Sequence, residues 1–347
     1  MPMHLSNQTS TNQTVCSVCI ANYNGIAVIH DCLNALMEQD CNFQIEIIVH
    51  DDASTDGSVD FIRNHFPDIV LIASNENVGF CISNNRMVKK AHGKYILILN
   101  NDAILYPDAL RVFYEHAEIM NRPAILGLRQ YNAETGDLID SGILLDPFMN
   151  SIPNRDLRRK EVAMMMGACL WLPKTLWEII GGFPEWFHTM HEDMYVCCMA
   201  RLYGCPVEVI PRSGYRHWVG NSLGGGKVVN NRLSTPLKRR ALSERNRIYV
   251  MVLCYPDPLF KIILPFHILL LVLEGIILSV LKKDLKILNS LYLSSIGSFW
   301  EHRKKLFSNR YRIQKQRAIS CRMFLSVVSP LPHKLKMLMK HGFPEIT

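Results

Sequence analysis

"IIVHDDASTDGS", Ile47 to Ser58, runs an apolar stretch into two adjacent carboxylates, Asp51 and Asp52, then into small hydroxyl residues, a third acid (Asp56) and a glycine. Taken alone it reads as a strand followed by a solvated turn that caps the next helix. Three other segments end the same way, and that changes the reading. "VCSVCIA" (15–21) runs into Asn22, Tyr23 and Asn24; "DIVLIAS" (68–74) into Asn75 and Asn77; "KYILILN" (94–100) into Asn100, Asn101 and Asp102. Helical periodicity separates these strands over 27–38, 54–65 and 81–92, and Pro107 opens a fourth helix at its first turn. Strands alternating with helices imply an α/β fold with right-handed crossovers and a mostly parallel central sheet covered on both faces. In such sheets ligands bind at the carboxyl ends of the strands, where all of these polar residues fall.

Beyond residue 124 the alternation loosens. "AILGLRQYNAETGDLIDSGILL" reads as strand, turn and strand, "EVAMMMGACLWLP" (161–173) as a buried strand, His191–Tyr203 as a helix, and "PVEVIP" (206–211) as a strand. "LGGGK" (223–227) lacks the spacing of a phosphate-binding loop and reads as flexible. Residues 1–14 are polar, with no apolar stretch that would make a secretory signal.

Composition sets the limits. With 347 residues and 48% hydrophobic content the chain holds a large core, which excludes disorder and collagen-like repeats. From residue 281 onward fourteen Lys and Arg face three acids, a net of +11, so the first 280 residues carry −4 of the overall +7. The eleven cysteines are scattered through apolar surroundings; Cys16 and Cys19 form a C-x-x-C with no second pair at a metal-ligand interval. Reduced core thiols, as on the cytosolic side of a membrane, are expected.

Two acidic clusters far apart in sequence can meet in this fold, "NND" at 100–102 and "ED" at 192–193. An oxygen ligand at Asp102 suits Mg²⁺ or Mn²⁺ held against a diphosphate. Asp193 suits a base that takes a proton from an attacking hydroxyl, although acids in the first turn of a helix are equally favourable for the helix itself. His217, in "YRHWVGNS", is a second candidate metal ligand, and imidazole beside a carboxylate favours Mn²⁺.

The order "NYNG", "DDASTDGS", "NENVGF" with "NN" at 84–85, "LNND", "GACLWLP", "GGFPEWF", "HED" and His217 resembles the family 2 inverting glycosyltransferases of GT-A fold, especially their bacterial rhamnosyltransferase-like branch. The resemblance covers about residues 15–250. It implies transfer of a sugar from a nucleotide-diphosphate sugar, dTDP-rhamnose or a UDP-hexose, to a hydroxyl with inversion. It implies that Asn22, Tyr23, Asn24, Asp51 and Asp52 bind the donor with Asn77, Gly79, Asn85, Asn100 and Asn101. It further implies a divalent cation on Asp102 and His217, Asp193 as the base, and Gly167, Ala168 and Glu192 on the acceptor side. Three positions depart from the family pattern: the D-x-D is Asn100-Asn101-Asp102, the E-D-x-D is Glu192-Asp193-Met194-Tyr195, and Met199 stands where Arg is frequent.

"ILPFHILLLVLEGIILSVL" (263–281) is long and apolar enough for a membrane segment, with Glu274 and His267 as its polar interruptions. A single crossing would put the +11 tail outside, against the positive-inside tendency, so a re-entrant or interfacial arrangement with Leu285–Trp300 as second element is expected. The basic run 302–317 then rests on anionic headgroups. A nucleic-acid partner is not expected, because no recognition fold accompanies the run. The domains are therefore a flexible 1–14, a catalytic 15–250 and a membrane-associated helical 251–347. The expected protein is a glycosyltransferase at the cytoplasmic face of the cell membrane, acting on a lipid-linked saccharide for a cell-surface polysaccharide. A sugar nucleotidyltransferase and a catalytically weak nucleotide-sugar-binding scaffold are the competing readings; the first is expected to carry a lysine near the first strand, and "NYNGIAV" has none.

Overall fold

The computed structural model describes residues 13–218, 227–229, 232–342 and 345–346. Residues 1–12 and all but the last residue of "LGGGK" lie outside the described residues. The chain order is β1 (Cys16–Asn22), α1 (Ile26–Met37), β2 (Ile45–Asp51), α2 (Ser58–His65), β3 (Val70–Ala73), α3 (Phe80–Lys90), β4 (Tyr95–Asn100), β5 (Ala103–Leu105) and α4 (Ala109–Met120). Then come β6 (Ile125–Asn132), β7 (Leu138–Asp140), β8 (Ile143–Leu145), β9 (Ser151–Pro153), β10 (Cys169–Pro173), α5 (Lys174–Ile180), a 3₁₀ turn (Glu185–Phe187), α6 (Glu192–Leu202) and β11 (Val207–His217). After β12 (Lys227–Val229) and β13 (Arg232–Thr235) the chain is helical: α7 (Leu237–Cys254), α8 (Leu259–Lys282), a π-helix (Ile287–Leu293), α9 (Ser294–Lys315), α10 (Cys321–Leu325) and α11 (His333–His341), closed by β14 (Glu345–Ile346).

The main sheet has the order β3-β2-β1-β4-β10-β6-β11-β5, with β7 on β6. Its first half is parallel, as the alternation predicts, but the whole is mixed: β10 runs antiparallel to both β4 and β6, and β5 runs antiparallel to β11. Only residues 169–173 of the expected strand 161–173 form a strand of that sheet; Glu161 makes an isolated bridge to Glu208 of β11, and Met164 one to Ile143 of β8.

Alternate residues of each central strand feed two cores. Val18, Ile20, Leu97 and Leu99 pack under α1, α2 and α4, whereas Cys19, Ile96 and Ile98 face α3, α5 and α6. Cys16 and Cys19 therefore fall in opposite cores and cannot share a metal ion, and all eleven cysteines are free. Trp171 on β10 is fully buried and stacks on Tyr95 and Phe113, with ring centroids 5.0 and 5.1 Å away. The second core continues without a break into α7, α8 and α9, so residue 250, the expected domain boundary, lies inside a helix packed on both sides.

α2 begins at Ser58, later than its periodicity suggests, because the preceding residues are held in a turn. Ser54 gives its N–H and hydroxyl to Asp51 at 2.9 and 2.8 Å, and Ile26 N–H and Ser58 N–H reach Asp56 at 2.8 and 3.0 Å. These side chains compete with the backbone for the hydrogen bonds a helix would use.

Candidate active site

The carboxyl ends of β1, β2 and β4 meet in a chain of hydrogen bonds. Asn22 Nδ2 donates to Asp51 Oδ2 at 2.8 Å, and Asn101 Nδ2 donates to Asn22 Oδ1 at 2.7 Å. α1 starts against this amide pair at Gly25, where a Cβ would lie 2.2 Å from both amides. Asn24 takes the Thr55 N–H on its Oδ1 at 2.8 Å, binding the β1 turn to the β2 turn. Asp52 accepts the N–H groups of Val78 and Gly79 at 2.7 and 2.8 Å, which fixes the loop after β3 at a glycine with φ +89°. Asp51 and Asp52 are thus braces that shape the cleft floor, and both are buried.

Asp102 is next to this floor. His217 at the end of β11 approaches it, Nε2 to Oδ1, at 2.9 Å. Gln130 Nε2 donates to His217 Nδ1 at 2.9 Å, so the ring carries its proton on Nε2 and donates it to Asp102; Tyr215 in turn donates its hydroxyl to Gln130 Oε1 at 2.9 Å. Gln130 and Tyr215 had no signal in the sequence, since a polar residue in an apolar strand acquires meaning only through its partner on the neighbouring strand. Asp140 on β7, opposite Gln130, is likewise buried, and burial pushes it up to about 7.

Asp193 reaches the same region through Gly167 and Ala168, just before β10. The Asn100 N–H donates to Ala168 O at 3.0 Å, and the Gly167 N–H donates to Asp193 Oδ2 at 3.0 Å. Burial above all, followed by Cys169, Asp140, Asp102 and Asp193, pushes the Tyr215 phenol up.

Glu192 and Asp193 open α6 after His191, which adopts a left-handed conformation at φ +67°. Burial raises both carboxyls. Asp193 accepts the Gly167 and Met194 N–H groups at 3.0 and 2.7 Å, while Glu192 Oε2 has no hydrogen-bond partner among the described residues. Glu192 is pushed up to about 8 and holds a proton at neutral pH; Asp193, stabilised by two donors, is the member of the pair that ionises. The segment before them is tied to α7 by Asn246, whose Nδ2 donates to the carbonyls of Phe187, Thr189 and Met190 at 3.1, 2.8 and 2.7 Å.

Other sequence candidates hold outlying positions. Tyr23 is 54% exposed at the rim, Asn77 is exposed beyond β3, and the Asn100 side chain is half-buried. The Asn85 amide is taken up by Phe183, donating to its carbonyl at 2.9 Å and accepting its N–H at 3.0 Å, so it clamps the glycine turn at 181–182.

A divalent cation fits the Asp102–His217 pair by donor chemistry: one carboxylate oxygen and one imidazole nitrogen already in contact, a set suited to Mn²⁺, with the Nε2 proton as the group a cation displaces. Among the described residues no cluster of three or more His, Cys, Asp and Glu surrounds it, so further ligands must be donor oxygens and water.

Residues 17–179 match the family model for Glycosyl transferase family 2. A poly(ribitol-phosphate) beta-glucosyltransferase of Bacillus spizizenii is 28% identical over 157 residues, 44% of this chain and 24% of that protein. The match spans between 24% and 35% of the length of three curated relatives. Among solved structures, S. aureus TarS 1-349 in complex with UDP-GlcNAc superposes with TM-score 0.57 at 16% identity over 90% of both chains. The mannosyltransferase PcManGT from Pyrobaculum calidifontis, in complex with GDP-Man and Mn²⁺, gives 0.51 at 16% identity over 88% of this chain and 86% of that one. At such identities the likeness is one of fold.

Proposed function

We propose that the protein, whose residues 17–179 match the family model for Glycosyl transferase family 2, moves a sugar from a nucleotide-diphosphate donor, dTDP-rhamnose or a UDP-hexose, with inversion onto a hydroxyl of a lipid-linked saccharide in cell-surface polysaccharide synthesis. The observation that carries this reading is the link from the Asp51–Asn22–Asn101 chain to Asn100 at the end of β4, and through Ala168 and Gly167 to Asp193.

In this reading the nucleoside lies over Asn22 and Asp51, with Tyr23 and Asn24 at the rim and the loop braced by Asp52 along its side. Asp102 and His217 would hold the cation, which would supply positive charge to the diphosphate. The acceptor enters beside Gly167, Ala168 and Glu192. Its hydroxyl oxygen attacks the anomeric carbon as the bond from that carbon to the diphosphate oxygen breaks on the opposite face. Asp193 takes the hydroxyl proton. Protonated Glu192 can donate a hydrogen bond to an acceptor oxygen without adding charge beside the base. The reaction takes place at the cytoplasmic face of a membrane, a reading supported by the free thiols, the apolar α8 and the basic C-terminal region.

A mass-resolved assay of a donor panel with extracted polyprenyl-linked acceptors tests this. Glycosylated lipid with release of nucleoside diphosphate is expected; release of pyrophosphate would instead assign nucleotidyl transfer.

A further inference from the structure

α8 has two apolar faces. Leu264, His267, Leu271, Gly275 and Leu278 are buried against the body. Gly275 allows the closest approach, since a Cβ there would lie 2.7 and 2.8 Å from Leu288 and Tyr292 of the π-helix. On the other side Ile262, Phe266, Leu270, Leu273, Ile277 and Val280 recur every three or four residues and are all at least 37% exposed. The helix is 24 residues long, about 36 Å at 1.5 Å per residue, so this is a long apolar strip.

Glu274 determines which way the helix can lie. Its carboxylate pairs with Arg240 of α7 and, at 2.9 Å, with Lys334 of α11; Lys334 also pairs with buried Glu244 at 2.7 Å, and Arg240 donates to the Tyr292 hydroxyl at 3.1 Å. A crossing α8 would strip Glu274 of both cations inside hydrocarbon and peel the Gly275 face from the π-helix. The ends of the strip are cationic and exposed: Lys261 at one, Lys282, Lys283 and Lys286 at the other, with Asp284 among them.

Resting on the membrane reading above, we infer that α8 lies flat on an anionic bilayer, latched to the protein by Glu274, with its outer strip in the acyl boundary and its terminal lysines on phosphate headgroups. Both ends then stay on one side, as the net +11 beyond residue 280 favours. α7 carries the consequence to the site. One face of it holds α8 through Arg240 and, by way of Lys334 between Glu244 and Glu274, through Glu244, while Asn246 holds the turn that leads into Asp193. The base therefore sits at a fixed height above the headgroups.

The test is sedimentation of the full chain with vesicles of phosphatidylcholine alone or mixed equally with phosphatidylglycerol. Binding to the mixed vesicles, release by alkaline carbonate without detergent, and about tenfold weaker binding for Leu270→Glu with Ile277→Glu and for Lys282→Glu with Lys286→Glu are expected. Retention through carbonate until detergent is added would mean that α8 crosses and would overturn the inference. Equal binding to both vesicle types would overturn the headgroup assignment, and no binding with dimerisation in solution would assign the strip to a second copy. Nucleotide-sugar binding by the same variants, measured by calorimetry, should be unchanged. Its absence from the wild-type chain would remove the enzymatic reading and leave the vesicle result standing on its own.

Discussion

Acids serve opposite ends in the cleft and in the helical region. In the cleft, Asp51, Asp52 and Asp193 are held by amides, hydroxyls and backbone N–H groups, with no cation hydrogen-bonded to them among the described residues. In the helices, Glu244 is buried among Arg247 at 2.9 Å, Lys334 at 2.7 Å and Arg240 at 4.0 Å, and those cations depress its carboxyl far below the ordinary range despite its burial. Burial raises Glu192 and Asp193, with Arg239 offsetting only part of the shift at Glu192, whereas burial beside three paired cations lowers Glu244. The first arrangement leaves a carboxyl able to exchange a proton near neutral pH. The second removes it from chemistry and uses it to join α7, α8 and α11.

That contrast is easiest to break at Glu244. Glu244→Gln leaves buried cations short of a counter-charge and should lower unfolding free energy by about 3–5 kcal/mol in a denaturant titration. The Glu244 contribution is present above the ordinary Glu value, about 4.3, and is lost only as pH falls through its depressed folded value, so the difference between variant and wild type should persist across the neutral range. A stability within error of wild type would mean that the helices are held by apolar packing alone.

Asp52→Ala is the matching test in the cleft. It leaves the Val78 and Gly79 N–H groups without their acceptor, and a loss of about 2–3 kcal/mol is expected together with weaker donor binding. Loss of stability with unchanged donor affinity would separate this loop from the binding surface.

The smallest effect sharpens the comparison. In the proposed role as base Asp193 must be ionised, and burial raises its pKa, so transfer should fall on acidification at a higher pH than a solvent-exposed Asp would give. An acid limb at the ordinary Asp value would show that the carboxyl is solvated in the working enzyme.

The parallel half of the sheet was legible in the sequence because each of its strands carries its own signal, an apolar run stopped by Asn or Asp. That 100–102 and 192–193 could share one cleft was an expectation from the rule that such ends face one another; the structure adds the hydrogen bonds at Asn22, Gly167 and His217, on which the proposal rests. What was not legible is pairing between distant segments. Nothing near Trp171 announces that β10 runs antiparallel between β4 and β6, and nothing near Asn85 announces that its amide is matched to Phe183. The apolar stretch 263–281 was visible, but local hydropathy cannot distinguish a crossing helix from one whose single acid is paired by residues 34 positions before it and 60 after it. Asp51 and Asp52 look alike in sequence; only the coordinates show one turned to the β1 end and the other to the loop after β3.

The most direct measurement is sugar transfer and donor affinity on the same preparation of Asp193→Asn. Transfer should fall by about 10²–10⁴-fold while nucleotide-sugar affinity stays at the wild-type value, because the lost group acts only on the acceptor proton. Transfer at the wild-type rate, or loss of donor binding in step with activity, would contradict the assignment of Asp193 as the base of this cleft.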